Sequence, residues 1–307
     1  MDDRLDLSHV RRRFGAEGDG PIGAWTSVTV LERVGSSNVW LREHGRVGDV
    51  VVALEQTAGR GRLGRVWDHV PGAGLAVSAM LPRPVGADDL PVVPLRVGLA
   101  LHRAVGALGL RTTALKWPND LLAADGRKLA GVLCELTPAG VVAGWGLNVA
   151  HEADQLPVPE ATSLRLAGLS TTREEVLAAW LAETEVLLTM PRTAVLEEYR
   201  RACATVGSQV AVTLPGGEVL AGVAGGLDEI GRLRVRVGER WVTVGSGDVV
   251  HTRMTRRPEE RPEDDGPAPP AADPPGAPEA TGSEASAEAA AAAPDPCAGA
   301  VSCCTRR

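Results

Sequence analysis

The chain has 307 residues, 44% of them hydrophobic but only 3% aromatic, and a formal net charge of −7. That length holds one large domain, or a large domain and a small one, around an aliphatic core. Residues 258–307 carry ten acids against three arginines and account for the whole imbalance, so the neutral remainder lacks the strong positive charge of a general nucleic-acid binder.

Residues 1–24 form a polar N-terminal extension, too short for a DNA-binding helix-turn-helix domain. Residues 25–205 read as one domain of mixed α and β structure. The β-branched runs at 28–34 and 49–56 predict strands. Between them GSSN (35–38) supplies hydroxyls where a helix would be capped. Further strands are predicted at 75–81, 113–117, 128–136 and 141–149, the last two joined as a hairpin through Pro138-Ala139-Gly140. Pro118 biases Trp117 toward extended backbone, and Asn119-Asp120 predict a turn.

Two segments have helical spacing. Residues 92–108 repeat Val93, Val97, Leu101 and Val105 along one stripe. Residues 172–190 open on Thr172 and Glu175, a capping-box pair, before the apolar face of Val176, Leu177, Trp180, Leu181, Leu187 and Leu188. Residues 207–254 change texture, to short strands between glycine-rich turns. RLRVRV sets Leu233, Val235 and Val237 against Arg232, Arg234 and Arg236, a solvated basic face or a docking surface for an acidic partner. So small a barrel or sandwich is expected to lean on the larger domain. Residues 255–307, rich in proline, alanine and acids, are expected to be disordered.

No run approaches the ~20 apolar residues of a membrane span. The N-terminus shows no apolar secretory segment, and five cysteines at irregular spacing do not make a disulfide framework. A cytoplasmic protein is expected. Cys134 and Cys203 read as buried small apolar residues, and Cys297, Cys303 and Cys304 lack the usual metal-ligand spacing.

Two segments carry candidate chemistry. EQTAGRGRLGRVW (55–67) contains G-x-G-x-x-G as Gly59, Gly61 and Gly64, but VWDHVPGAG cannot supply the helix that a dinucleotide fold requires. It does offer Arg60, Arg62 and Arg65 on a mobile backbone, suited to wrapping an anion. An exposed basic turn and a short RNA-binding Arg-Gly loop are the alternatives. KWPND (116–120) gathers Lys116, Asn119 and Asp120 at a strand end, giving a cation, an amide and a candidate magnesium-ligand carboxylate; its alternative is a capped strand-to-loop junction. Lys116 and Lys128 are the only lysines among 32 basic residues. Their use in an arginine-rich chain points to positions that need a compact ammonium.

The series GSSN (35–38), EQTAGRGRLGR (55–65), LKWPNDLL (115–122), RKLAGVLCE (127–135) and GWGLNV (144–149) resembles the biotin–protein ligases in order and spacing, over roughly residues 25–253. The resemblance implies an α+β fold: a mixed sheet flanked by helices, like the class II aminoacyl-tRNA synthetase catalytic domain, followed by a small SH3-like β-barrel. It implies an ATP-dependent ligase that makes biotinyl-5′-AMP and transfers biotin to a lysine of a biotin carboxyl carrier domain, in an acyl-CoA or pyruvate carboxylase. Biotin and ATP are the implied substrates, with Mg2+. No DNA or membrane partner is implied, and the enzyme would be a monomer or homodimer.

By the same resemblance Ser36, Ser37, Asn38, Gln56, Arg60, Gly61, Arg62 and Lys128 would bind biotin, with Lys128 and Arg62 catalytic. Arg65, Trp67, Lys116, Asn119, Asp120 and Asn148 would bind ATP, and Asp120 is the candidate metal ligand. Two departures stand out. Ser37 replaces a frequent threonine, and Trp145 replaces a common aliphatic residue, which is expected to reshape packing near the nucleotide. The N-terminal DNA-binding domain of some relatives is not expected here. A lipoate or octanoate ligase and a non-catalytic biotin sensor are the alternative functions.

Overall fold

The computed structural model describes residues 5–8, 10, 24–67 and 70–253. Most of the N-terminal extension, and the tail from 255 onward, lie outside the described residues.

A seven-stranded sheet forms the body, in the order β1-β2-β3-β7-β6-β5-β4. Its strands are β1 (Ser27–Val34), β2 (Asp49–Gln56), β3 (Gly74–Leu81), β4 (Ala114–Lys116), β5 (Asp120–Leu122), β6 (Lys128–Leu136) and β7 (Val141–Asn148). β1 and β2 are parallel and the remaining pairs antiparallel, so the sheet is mixed. Helix α1 (Ser37–His44) links β1 to β2, α2 (Val93–Ala107) follows β3, and α3 (Arg173–Thr189) and α4 (Arg192–Ala202) come after the sheet.

The period-two alternation of the central strands assigns the two faces different tasks. In β7, Val141, Ala143, Trp145 and Leu147 join the main core with Leu99, Leu101, Val176, Leu177 and Trp180 of α2 and α3. Thr172 caps α3 as its sequence suggests, accepting from the Glu175 N–H at 3.1 Å while Glu175 accepts from the Thr172 N–H. The opposite face carries a small second core of Leu41, Val51, Met80 and Val142 beneath α1. Beyond that cluster the strands present Ser78, Gly131, Gly144 and Gly146. Next to the start of α1 the sheet face is thus made largely of glycine.

A second, antiparallel sheet has the order β11-β10-β9-β8-β12, from β8 (Gln209–Thr213), β9 (Val219–Leu227), β10 (Leu233–Val237), β11 (Arg240–Val244) and β12 (Asp248–Arg253). Leu233 and Val235 are buried while Arg234 and Arg236 are more exposed, and the Arg234 guanidinium lies over the Trp241 ring at 4.8 Å. The small sheet shares the main core through Val210, Val212, Leu233, Val235 and Val249. Trp117 joins the two parts, its indole donating to the Gly231 carbonyl at 2.9 Å.

Three local expectations change. The turn predicted at Asn119-Asp120 falls earlier: the Asn119 N–H closes onto the Lys116 carbonyl at 3.1 Å, Trp117-Pro118 is cis, and Asp120 already pairs with Lys116 in the β4–β5 hairpin. Ser36 occupies the N-cap of α1 without a side-chain cap bond, and the first-turn N–H of Ser37 is satisfied instead by Gln56 Oε1 at 2.8 Å. Helix α4, which buries Val195, Leu196 and Tyr199, has no counterpart among the predicted elements. Cys203 is buried as expected, whereas Cys134 is only half-buried, with its thiol pushed up to about 12, first by desolvation and then by Glu135.

Candidate active site

The glycine face of the sheet floors a cleft of about 800 Å³ including its open mouth. One wall is the start of α1, the other the KWPND segment, and the loop after β2 arches over both. Around the cleft stand Ser36, Ser37, Asn38, Gln56, Arg60, Gly61, Arg62, Arg65, Trp67, Asn119, Asp120 and Lys128. Segments scattered over more than ninety residues of sequence thus meet in one place.

At the α1 end a hydrogen-bonded polar group is built on short side chains. The Ser37 N–H and hydroxyl both donate to Gln56 Oε1, at 2.8 and 3.0 Å. Fully buried Ser78, from β3, lies 2.8 Å from Ser37 Oγ and donates to Asn38 Oδ1 at 2.6 Å. The Asn38 amide donates to the Leu133 carbonyl at 3.2 Å and to Glu135 Oε2 at 2.8 Å. Gly144 makes this arrangement feasible, since a Cβ there would stand 2.0 Å from Asn38 Oδ1.

The loop is a tight antiparallel hairpin rather than a helix-opening turn, as the absence of helical signal after Gly64 required. Arg60 and Val66 bridge, the Gly61 N–H donates to the Arg65 carbonyl at 2.7 Å, and Trp67 N–H donates to the Gly59 carbonyl at 3.0 Å. Leu63 and Gly64 adopt positive φ, 56° and 75°, to turn the chain. The hairpin lays Trp67 on the glycine floor, where a Cβ on Gly146 would meet the indole at 2.2 Å. The Lys128 ammonium lies 5.7 Å from the centre of that ring.

Three of the cations around the cleft, Lys128, Arg62 and Arg65, have protein partners. Lys128 Nζ lies 2.7 Å from Asp120 Oδ1. Arg62 donates to Asn119 Oδ1 at 3.1 Å and to Ser246 Oγ at 3.4 Å, and Arg65 pairs with Asp248 of β12. Desolvation lowers the Arg62 pKa, opposed by Asp120 and Asp248, whereas the hydrogen bond to Asp248 raises that of Arg65. Ser246 and Asp248 therefore bring the small sheet to the mouth of the cleft.

Two of the sequence-derived candidates lie apart from this group. Asn148 is buried and donates to the Thr162 carbonyl at 3.0 Å. The Lys116 charge acts instead on His251 of β12. Trp145 stands in the cleft lining between Gly144 and Gly146, but its ring packs away from it. Its ring is buried on the helix side, 5.0 Å from Trp180, because alternation in GWG turns the flanking glycines toward the cleft. For Mg2+ the protein offers little by itself: Asp120 is paired with Lys128, and no cluster of three or more His, Cys, Asp or Glu suited to a metal occurs among the described residues. Such a site fits a metal delivered on phosphate oxygens rather than a resident ion.

Ser78, Glu135, Ser246 and Asp248 were not among the sequence candidates. Ser78 and Glu135 are single polar residues on strands that read as ordinary alternation, and Asp248 lies nearly 200 positions from Arg65. The spacing of Gly144 and Gly146 around one tryptophan was the readable signal.

Comparison with known proteins identifies the family and the fold. A family model described as the biotin/lipoate A/B protein ligase family matches residues 31–149, and one for the biotin protein ligase C-terminal domain matches residues 205–252. The chain is 37% identical over 266 residues to the biotin--[acetyl-CoA-carboxylase] ligase of Mycobacterium tuberculosis, covering 81% of this chain and 96% of that protein. Among solved structures, the biotin protein ligase of Aquifex aeolicus in complex with biotin and ATP aligns with a TM-score of 0.64 and 29% identity, over 75% of this chain and 100% of that one. The Leishmania major biotin protein ligase with biotinyl-5-AMP aligns with a TM-score of 0.51 and 25% identity, over 74% and 98%. On this evidence of sequence and fold together, the chain belongs to the biotin protein ligase family.

Proposed function

We propose that the cleft holds biotin and ATP side by side over the glycine floor, biotin toward α1 and the nucleotide toward Trp67 and KWPND. The enzyme is an ATP-dependent ligase that activates biotin as biotinyl-5′-AMP and transfers it to a carboxylase. In the first step the biotin carboxylate attacks the α-phosphorus and pyrophosphate leaves. In the second, the amine of an acceptor lysine attacks the acyl carbon of the mixed anhydride and AMP leaves. We assign the acceptor to a biotin carboxyl carrier domain of an acyl-CoA or pyruvate carboxylase, and the reaction to the cytoplasm.

The observation that carries this reading is the meeting of Ser37, Gln56, Arg62, Asn119 and Lys128 around one cleft. Two anions must approach each other for adenylation. Lys128 and Arg62, which both line the cleft, would offset their repulsion and hold the charge that develops on phosphate. Arg60 and Gly61 would lie over the biotin carboxylate and Arg65 beside the phosphates. Trp67 offers a flat face to adenine, and Asn119 and Asp120 would meet ATP with its Mg2+, which enters as part of the nucleotide substrate. The hairpin would keep water from the anhydride while it waits for the carrier. Lys116 and Asn148 support the walls in this reading rather than touching the nucleotide.

Biotin-dependent exchange of labelled pyrophosphate into ATP tests the first step. The reading expects exchange with biotin and little with lipoate or octanoate. Exchange driven equally by lipoate would point to the other branch of the family, and biotin binding without exchange to a sensor.

A further inference from the structure

We infer that Glu135 is a positioning residue that locks the Asn38 amide and so makes this end of the cleft selective for a ligand N–H; the inference rests on biotin being the ligand. The Leu133 carbonyl and an ionised Glu135 carboxylate can only accept hydrogen bonds. Both face Asn38 Nδ2, at 3.2 and 2.8 Å, so both amide hydrogens are committed toward β6. The amide cannot be turned over without pointing its oxygen at a carbonyl and a carboxylate. Asn38 is buried, and Oδ1 accepts from the Ser78 hydroxyl at 2.6 Å. One lone pair of Oδ1 remains, on a residue that lines the cleft.

The neighbouring hydroxyl has the same polarity. Ser37 gives its proton to Gln56 Oε1 at 3.0 Å, which leaves its oxygen, 2.8 Å from Ser78 Oγ in the cleft lining, an acceptor. Two adjacent acceptors read donors, and the ureido ring of biotin carries two N–H groups. Glu135 stands behind Asn38 rather than around the cleft, with the Arg42 guanidinium 3.8 Å from its other oxygen to balance its charge. Glu135 therefore acts on the ligand only through the orientation of Asn38.

The test is calorimetric titration of biotin, without ATP, into the full chain and its Glu135→Gln, Glu135→Ala, Asn38→Ala and doubly substituted variants, with thermal melts alongside. In Glu135→Gln the new amide can donate as well as accept, so Asn38 is free to turn. The expected result is about tenfold weaker biotin binding, the scale of one lost hydrogen bond, in both single Glu135 variants and with little change in melting temperature. The preference for biotin over biotin methylated at the ureido nitrogens should shrink by a similar factor. Neither Glu135 substitution should weaken binding further once Asn38 is alanine. Wild-type affinity in Glu135→Gln, or an equal loss in the Asn38→Ala background, overturns the inference. Failure of the unsubstituted chain to bind biotin overturns the functional reading instead.

Discussion

The Lys128 ammonium rests 2.7 Å from the Asp120 carboxylate, so the cation assigned to the reacting centre is aimed by the segment that also borders the nucleotide space. A compact ammonium suits this post because it can follow negative charge from carboxylate to phosphate. Lys128→Ala is expected to slow biotin-dependent pyrophosphate release by a factor of about 100–1000, with the melting temperature nearly unchanged. Release at the wild-type rate from a folded variant would remove Lys128 from the chemistry.

The glycine floor gives a prediction that separates the two substrates. In Gly146→Ala the new methyl would stand 2.2 Å from the Trp67 indole, so the ring must lift. The Michaelis constant for ATP should rise about tenfold, equivalent to about 1.4 kcal/mol, with that for biotin little changed. Gly144→Ala, whose methyl would crowd Asn38, should do the reverse. Steady-state kinetics with each substrate varied in turn will distinguish the pair.

Asp248 anchors the hairpin through an exposed ion pair with Arg65, worth at most about 1 kcal/mol. Asp248→Ala should therefore expose the hairpin to trypsin a few-fold more, with new cuts after Arg62 and Arg65. Raising the salt concentration should do the same to the unsubstituted protein and little to the variant. Unchanged cleavage in the variant would mean that the ion pair does not hold the loop.

The junction of the two sheets carries a pH dependence. The Trp117 N–H donates to Thr205 Oγ1 at 3.0 Å, and the Thr205 hydroxyl lies 3.0 Å from His251 Nε2. Burial, then the Lys116 charge, lowers the His251 pKa from 6.5 to about 4. Between these values the unfolded chain binds a proton that the folded chain refuses. The neutral ring's contribution is complete above pH 6.5 and declines as the pH falls toward 4. Denaturant titrations should lose at most about 2 kcal/mol by pH 5, reduced by the solvent that still reaches the ring. In His251→Gln this part of the pH dependence should disappear.

Much of this arrangement was legible in the sequence because it rests on short-range rules. β-branched runs, the Thr172 capping box and the alternation of RLRVRV are local signals, and each corresponds to an observed element. The glycine-rich hairpin could be told from a dinucleotide loop because no helix could follow it. What escaped depends on contacts distant in sequence. Asp248 meets Arg65 from the other end of the fold, and Ser78 and Glu135 matter only because α1 brings Asn38 between them. The direction of the Trp145 ring was not legible for a related reason: its contact with Trp180 depends on where the helices pack.

The central claim is that this one cleft activates biotin with ATP and delivers it to a carrier lysine. Incubating the protein with biotin, ATP-Mg and a biotin carboxyl carrier domain, and following AMP and carrier mass together, tests it directly. The account predicts one AMP formed for each biotin added to the carrier, at a single lysine and only with all three substrates present. Carrier left unmodified, with no AMP formed although biotin binds, would contradict it.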